Sequence, residues 1–390
     1  MPCSTVGRIV CLTNVFDENY QRARDEKIPL PLGSKRRALF QCLETAAQRE
    51  LLVLSCPPKA LQRRRPRWLA ALETRFSTHR QLFCANFDAP KLRIPCSWIF
   101  YAAHVVRHTR SGDLVLIDNF EFLYVLAAYA ARLGRRLRFF LDYEDGKHAI
   151  DNGWYRLLSG AAEFFGRPLL RGAILAHPSL ATRLPKDLPV ALVPGFLHPP
   201  KPRAAERPAD APVKFLYSGS LDRTRGVDLM LGALPFLPAT GWELHITGSG
   251  PLQPQVIEVA SDPRRDWRVQ FHGVLPNEEY EHLMATCDVA LNCQRPSDAI
   301  SDVTYPSKTF TYLSAGLRLI SSTASGVREV LGAACWYYHE ESSASLAAVM
   351  TAMITDGLPE VPEAALREVQ TQYSMEGTTR RLQAFLEKIT

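Results

Sequence analysis

The chain has 390 residues, 46% hydrophobic and 22% charged, a globular composition with room for two or three domains and a large core. Collagen-like, disordered and disulfide-stapled classes are excluded. The formal charge of +6 is uneven: residues 1–200 carry 29 Lys/Arg against 17 Asp/Glu, and residues 201–390 carry 17 against 23.

A basic half followed by an acidic half points to two domains with different partners. Nine cysteines is an odd number, and no CxxC pair occurs, which disfavours a disulfide framework or a tetrahedral zinc site. Cys11 in RIVCLT and Cys287 in ATCDVAL sit in apolar runs, as free thiols do in a reducing cytoplasm. The N-terminal segment lacks the apolar stretch of a signal peptide. No segment reaches the ~20 apolar residues that span a bilayer. The expectation is a cytoplasmic protein, peripheral to a membrane at most.

The spacing predicts strands at Arg8–Thr13, Leu51–Ser55, Asp113–Ile117, Leu137–Asp142, Gly172–Ala176 and Val190–Val193. Helical periodicity falls between them at Ser34–Gln48, Ser97–His108 and Phe120–Leu133. Strands alternating with helices predict an α/β domain with a doubly wound parallel sheet. Residues 201–212, rich in Pro and Ala, read as a linker. The pattern restarts with strands at Val213–Tyr217, Glu243–Thr247, Val269–His272, Asp288–Asn292, Leu317–Ser321 and Cys335–Tyr338. Helices are predicted at Gly226–Leu237, Asn277–Thr286, Lys308–Ala315 and Ser343–Ile354. The organisation is therefore an N-terminal domain over 1–200, a linker, and a second domain over 213–372. A C-terminal helix in 373–390 is expected to pack back on the first domain. Ligands of such sheets bind beyond the carboxyl ends of the strands, so two of them would face each other across a cleft.

Four segments of the second half carry chemistry. In Tyr217-SGSLDRTRGVDLML a strand ends in a Gly/Ser turn and a helix begins. Backbone N–H groups there can cradle phosphate, and Arg223 or Arg225 can supply a bidentate contact. Otherwise the segment is an ordinary loop with solvated arginines. Leu244-HITGSGPL carries Gly248 in a partial glycine motif, short of the full dinucleotide fingerprint. In Phe271-HGVLPNEEY the loop at Gly273–Val274 lies at a strand's carboxyl end. In Ser301-DVTYPSKTFTYLSAGLRLISS, Pro306 precedes Ser307, Lys308 and Thr309 in a first helical turn. A lysine there is opposed by the helix dipole and makes sense where it meets an anion. Tyr305, Phe310 and Tyr312 flank it, the last two expected in the core.

In this order and spacing the four segments resemble the nucleotide-binding domain of the GT-B glycosyltransferases of family 4, over about residues 213–355. ILAHPSLATRL followed by VALVPGF is similar to that family's crossing between domains. The resemblance implies a GT-B fold, two Rossmann-like domains facing a cleft, and transfer of a sugar from a UDP-, GDP- or dTDP-linked donor without a cofactor or metal. It places the diphosphate on Gly219, Ser220, Arg225 and the Ser307–Lys308 amides, the base near Val274, the ribose near Thr311 and the sugar near 297–304. Gly248, Tyr305 and Thr309 complete the implied donor set. The sequence departs from the family at its first-loop arginine, here Ser220, and at its two glutamates, which fall on Val303 and Thr311. Asp298 or Asp302 could replace the first glutamate.

On the basic half, the loop Asn14–Ser34 follows the first strand and leads into Gly33-SKRR, and in GT-B enzymes the corresponding loop meets acceptor and donor phosphate. Phe140-LDYEDGKHAI gathers Asp142, Glu144, Asp145 and His148 at a strand end. Asp145, His148 and Glu144 are the candidate catalytic groups, as base in an inverting reaction. In the retaining reaction that the resemblance favours they would orient the acceptor. Asn14, Gly33 and Asp142 are candidate acceptor contacts. Arg63–Arg67 beside Trp68, and Arg132–Arg138, suit an anionic membrane or an acidic glycan; a merely solvated face is the alternative. No nucleic-acid motif accompanies the charge. The expected activity is glycosyl transfer to a glycan or lipid-linked acceptor in polysaccharide or glycoconjugate assembly. A catalytically degenerate scaffold and a sugar-nucleotide epimerase are the alternatives.

Overall fold

The computed structural model describes residues 7–24, 34–58, 66–89, 92–144, 153–199, 208, 211–263, 268–299, 301–324, 326–339 and 341–390. The chain divides into two compact units, one of Met1–Val193 with Met375–Thr390, the other of Pro194–Ser374.

The first unit is built on strands β1 (Ile9–Leu12), β2 (Leu51–Ser55), β4 (Leu72–Phe76), β5 (His79–Phe83), β7 (Leu114–Asp118), β8 (Arg138–Tyr143), β9 (Leu170–Leu175) and β10 (Val190–Leu192). They order as β10-β9-β8-β7-β1-β2-β5-β4, parallel throughout except for antiparallel β4 at the edge. Every residue of β1 and β2 is buried. Such unbroken apolar runs form strands covered on both faces. A separate antiparallel pair, β3 (Arg67–Leu69) with β6 (Asn86–Asp88), stands beside the sheet. The helices are α1 (Glu18–Arg24), α2 (Ser34–Ala47), α3 (Arg93–His108), α4 (Phe122–Arg132) and α5 (Gly153–Gly166). Helix α4 buries Tyr124, Val125, Ala127, Ala128 and Ala131, so one stripe faces the sheet and the rest faces out.

The second unit holds β11 (Val213–Ser220), β12 (Trp242–Ser249), β13 (Val269–Phe271), β14 (Val289–Asn292), β15 (Arg318–Ser322) and β16 (Trp336–Tyr338). All are parallel, in the order β13-β12-β11-β14-β15-β16. Counting from β11, this is the 3-2-1-4-5-6 order of the dinucleotide-binding fold. Its helices are α6 (Val227–Ala233), α7 (Gln253–Ala260), α8 (Asn277–Thr286), α9 (Lys308–Ser314), α10 (Val327–Leu331), α11 (Ser343–Thr355) and α12 (Glu363–Tyr373). One face of the sheet buries Phe215, Leu244 and Ile246 against Met230, Val256 and Met350. The other buries Leu216 and Leu319 against Phe310, Leu331 and Tyr373. The last helix, α13 (Met375–Ile389), returns to the first unit. It turns Leu382, Phe385, Leu386 and Ile389 inward, and Arg381 caps the carbonyl of Leu192 at 2.7 Å.

The doubly wound parallel architecture expected from the strand and helix spacing is present. Strands β3, β4, β5 and β6 and helices α5, α7, α10 and α12 were not among the predicted elements, and helix α1 stands within a segment expected to be a loop. Most of the expected linker lies outside the described residues.

Candidate functional site

In a sheet of this order the connections diverge at the first strand, so the carboxyl ends of β11 and β14 open a crevice. Strand β11 ends in Ser218-Gly219-Ser220, and β14 ends at Asn292. Gly248, at the end of β12, has φ +137°, and a Cβ there would lie 1.8 Å from the carbonyl oxygen of Gly219. Only glycine lets the two strand ends approach this closely.

The turn after β11 is organised by Asp222. Its carboxylate accepts from Ser220 Oγ at 2.5 Å, Thr224 Oγ1 at 2.6 Å and the Arg225 N–H at 2.9 Å. Burial opposes the charge, but these bonds hold the carboxyl below its ordinary range. Gly226 follows with φ +67°, and a Cβ there would meet the Cys293 carbonyl oxygen at 1.9 Å. The turn is thus packed onto the segment after β14. Arg295 fastens it further, donating to the Arg223 carbonyl at 2.9 Å while pairing with Asp228 at 2.7 Å and Glu341 at 2.6 Å.

Lys308 begins α9 and extends to the end of β11. Its Nζ donates to Ser218 Oγ at 3.0 Å and lies 4.0 Å from the place a Cβ on Gly219 would occupy. Ser218 Oγ also meets the Tyr280 hydroxyl at 2.7 Å and the Tyr312 hydroxyl at 3.2 Å. Burial, then the nearby charge of Arg225, lowers the Lys308 ammonium to about 8. Arg225 is hydrogen-bonded through its guanidinium to Gln294. Among the described residues, neither Lys308 nor Arg225 forms an ion pair with a carboxylate. Two cations, partly desolvated and short of counter-charge at a strand-end crevice, can bind an oxyanion strongly.

Of the expected donor contacts, the structure brings together Gly219, Ser220, Arg225, Gly248 and Lys308. Ser307 is exposed at the start of α9. Val274 is 72% exposed and follows Gly273, whose carbonyl accepts from the Gly248 N–H at 2.8 Å. Tyr305 and Thr309 are buried, and Thr309 Oγ1 donates to Tyr305 Oη at 3.3 Å and to the Pro306 carbonyl at 2.9 Å. They shape the start of α9 from beneath. Thr311 is exposed, whereas Val303 is buried. Sequence reasoning missed Ser218, Tyr280 and Gln294. Position could have found Ser218 and Gln294, since each lies at or just past the end of a switch-point strand.

In the first unit the corresponding crevice lies where β1 and β7 diverge. Here the basic α2 meets three carboxylates. Arg36 pairs with Asp142 at 2.7 Å and with Asp118 at 3.0 Å, and Lys35 pairs with Glu144 at 2.7 Å. Asp118 also accepts from Thr13 Oγ1 at 2.5 Å. Asn119, in the left-handed region at φ +53°, accepts the Glu144 N–H at 2.9 Å. Burial pushes the Asp142 carboxyl up to about 8; Arg36 pulls the other way, while Glu144 and Asp118 push with the burial. Burial also opposes the Glu144 charge, but Lys35 and Arg36 hold that carboxyl low. Asp142 and Glu144 are therefore engaged with α2. Asn14 is exposed just past β1. Gly33, Asp145, His148 and Arg63–Arg65 lie outside the described residues. Among the described residues no group of three His, Cys, Asp or Glu could hold a metal, and no helix is long and apolar enough to cross a membrane.

Two Rossmann-like units with these sheets define the GT-B glycosyltransferase fold. Within it, residues 212–356, which hold the whole Lys308 crevice, match the sequence model of the family described as Glycosyl transferases group 1. The chain is 14% identical to sucrose-phosphate synthase from Thermosynechococcus elongatus, with a TM-score of 0.68 over 98% of both chains. It is 13% identical to Anabaena HepE solved with UDP, with a TM-score of 0.65 over 97% of this chain and 99% of that one. At these identities the likeness is one of fold. Over 92 residues it is 36% identical to glycogen synthase of Mycobacterium tuberculosis, a stretch covering 23% of this chain and 22% of that protein.

Proposed function

We propose that the protein transfers a glycosyl group from a nucleoside diphosphate sugar to a hydroxyl of a glycan or lipid-linked acceptor, in polysaccharide or glycoconjugate assembly. The observation that carries this reading is the pair Lys308 and Arg225 at the carboxyl end of β11. Breaking the bond between the sugar's anomeric carbon and the diphosphate leaves negative charge on the diphosphate. Preorganised cations in a partly dry crevice stabilise that charge more as it develops than before. The strand-end glycines let the diphosphate approach the backbone, and the exposed Val274 and Thr311 flank positions for base and ribose.

The acceptor oxygen forms the new bond to the anomeric carbon as the diphosphate leaves. Its proton needs a base. Among the described residues of the first unit, Asp118, Asp142 and Glu144 are committed to Arg36 and Lys35, which favours a departing phosphate oxygen as proton acceptor, and with it retention of configuration. The relatives' names support the class: HepE was solved with UDP and with UDP-glucose.

The test is a thermal-shift screen with UDP, GDP, ADP and dTDP. One of them should stabilise the protein at millimolar concentration or below, because a ligand bound only by the folded state raises its stability. Stabilisation by none overturns the proposal. Donor binding without hydrolysis or transfer would identify a degenerate scaffold, and conversion of the donor sugar without acceptor an epimerase.

A further inference from the structure

Helices α4 and α5 of the first unit expose apolar residues at matching spacings. On α4 the outward row is Leu126 and Tyr129, at i and i+3, continued by Leu133 just past the helix end, which is 77% exposed. On α5 it is Leu157 and, seven residues on, Phe164, followed by Phe165; Phe164 is 71% exposed. The two rows are neighbours: Tyr129 Oη donates to the Phe165 carbonyl at 2.8 Å. Single exposed apolar residues are ordinary, but a contiguous patch marks an interaction surface.

Among the described residues, the exposed charges within and just after these two helices have one sign. Arg132, Arg136 and Arg156 are exposed beside it. The only acidic residue within either helix is Glu163, which is buried and bridges to Arg167 and Arg183. An aromatic and aliphatic face rimmed by arginines, with no exposed carboxylate within either helix among the described residues, complements an anionic lipid leaflet: apolar rings enter the acyl boundary and guanidinium groups meet phosphate.

We infer that the α4–α5 face seats the protein on an anionic lipid surface, with Phe164, Phe165 and Leu133 inserted and Arg132, Arg136 and Arg156 at headgroup level. The surface belongs to the first unit alone and does not depend on the donor crevice.

The experiment is flotation of the full-length protein with phosphatidylcholine vesicles and with phosphatidylcholine/phosphatidylglycerol vesicles. Binding is expected only to the anionic vesicles and should weaken as salt rises. Phe164→Ser with Phe165→Ser should lower the partition coefficient at least about tenfold, because most of the inserted area is lost. Arg132→Gln with Arg136→Gln should remove most of the salt dependence. Both variants alter exposed side chains, and an unchanged circular dichroism spectrum and thermal midpoint establish that they fold. Failure of the wild type to bind anionic vesicles overturns the inference, as does undiminished binding by the phenylalanine variant. Sedimentation velocity supplies another overturning result: a wild-type dimer that the phenylalanine variant abolishes would make a second copy the occupant. Nucleoside diphosphate stabilisation is measured separately, so failure of vesicle binding leaves the proposed transfer standing, and the reverse.

Discussion

Lys308 Nζ donates to Ser218 Oγ across 3.0 Å, joining the first turn of α9 to the carboxyl end of β11. The bond satisfies one of the ammonium's three donors and aims the group beside Gly219, where an anion would lie. Lys308→Met keeps much of the stem's packing and removes the charge. A charge-assisted hydrogen bond contributes about 1.5–3 kcal/mol, so nucleoside diphosphate affinity should fall roughly ten- to a hundredfold. Isothermal titration with the stabilising nucleotide checks this. An affinity within twofold of wild type would show that Lys308 does not touch the diphosphate.

The same lysine makes binding depend on pH. Its folded pKa is lowered to about 8, by burial first and then by Arg225. Between that value and the ordinary lysine value of about 10.4, the unfolded chain holds a proton that the folded chain has lost. The free protein therefore gains stability from this group as pH rises through that window. A bound diphosphate favours the ammonium and raises its pKa. Binding above pH 8 should then take up a proton, and affinity should fall with further rise in pH. Titrations at pH 8.5 in buffers of different ionisation enthalpy should reveal the uptake in the wild type and its loss in Lys308→Met.

The second unit was largely legible in the sequence because its chemistry sits on short local patterns. Gly219, Ser220, Arg225 and Gly248 lie at or within a few positions of a strand end, where an apolar run meets glycine, and Lys308 follows Pro306 at a helix start. Helix α8 was read with its observed bounds, since Pro276 and the acids after it mark a start. Ser218 was legible by its place at a strand end but not by its role: its three partners, Tyr280, Lys308 and Tyr312, come from two helices more than sixty residues away. Arg36 was hidden for the same reason, its carboxylates lying 82 and 106 residues further on. Strands β3 and β6 have three residues each, too few for alternation to register. Helix α7 carries Pro254 in its first turn, where a proline is tolerated but reads as a break.

Gly248 is a test of the backbone that supports the crevice. Its φ of +137° is rare for any residue with a side chain, and the added carbon would lie 1.8 Å from the Gly219 carbonyl oxygen. That neighbour is backbone and cannot turn away. Gly248→Ala should cost at least about 1–3 kcal/mol of unfolding free energy and push β11 and β12 apart at their ends. Urea denaturation gives the stability and nucleotide titration the affinity; both should fall. A stable variant with native affinity would show that the strand ends yield without disturbing the crevice.

Arg36 is the hub of the first unit's buried cluster, facing Asp118 and Asp142 beside the Lys35–Glu144 pair. Three carboxylates against two cations leave one negative charge too many, and burial pushes Asp142 up to about 8, so a proton on Asp142 brings the cluster to neutrality. Because that folded pKa lies above the unfolded value of about 3.9, the folded state binds more protons in between. The contribution is full below the unfolded value and is lost as pH rises toward 8. Asp142→Asn should flatten that decline. Arg36→Met leaves two carboxylates without their cation and should cost about 3–5 kcal/mol, as breaking a buried pair does. Adding Asp118→Asn and Asp142→Asn to it should recover much of the loss, since the stranded charges are gone. Urea titrations of the four proteins across pH 5–8 separate these effects. An Arg36→Met protein as stable as wild type would mean that water already screens the cluster.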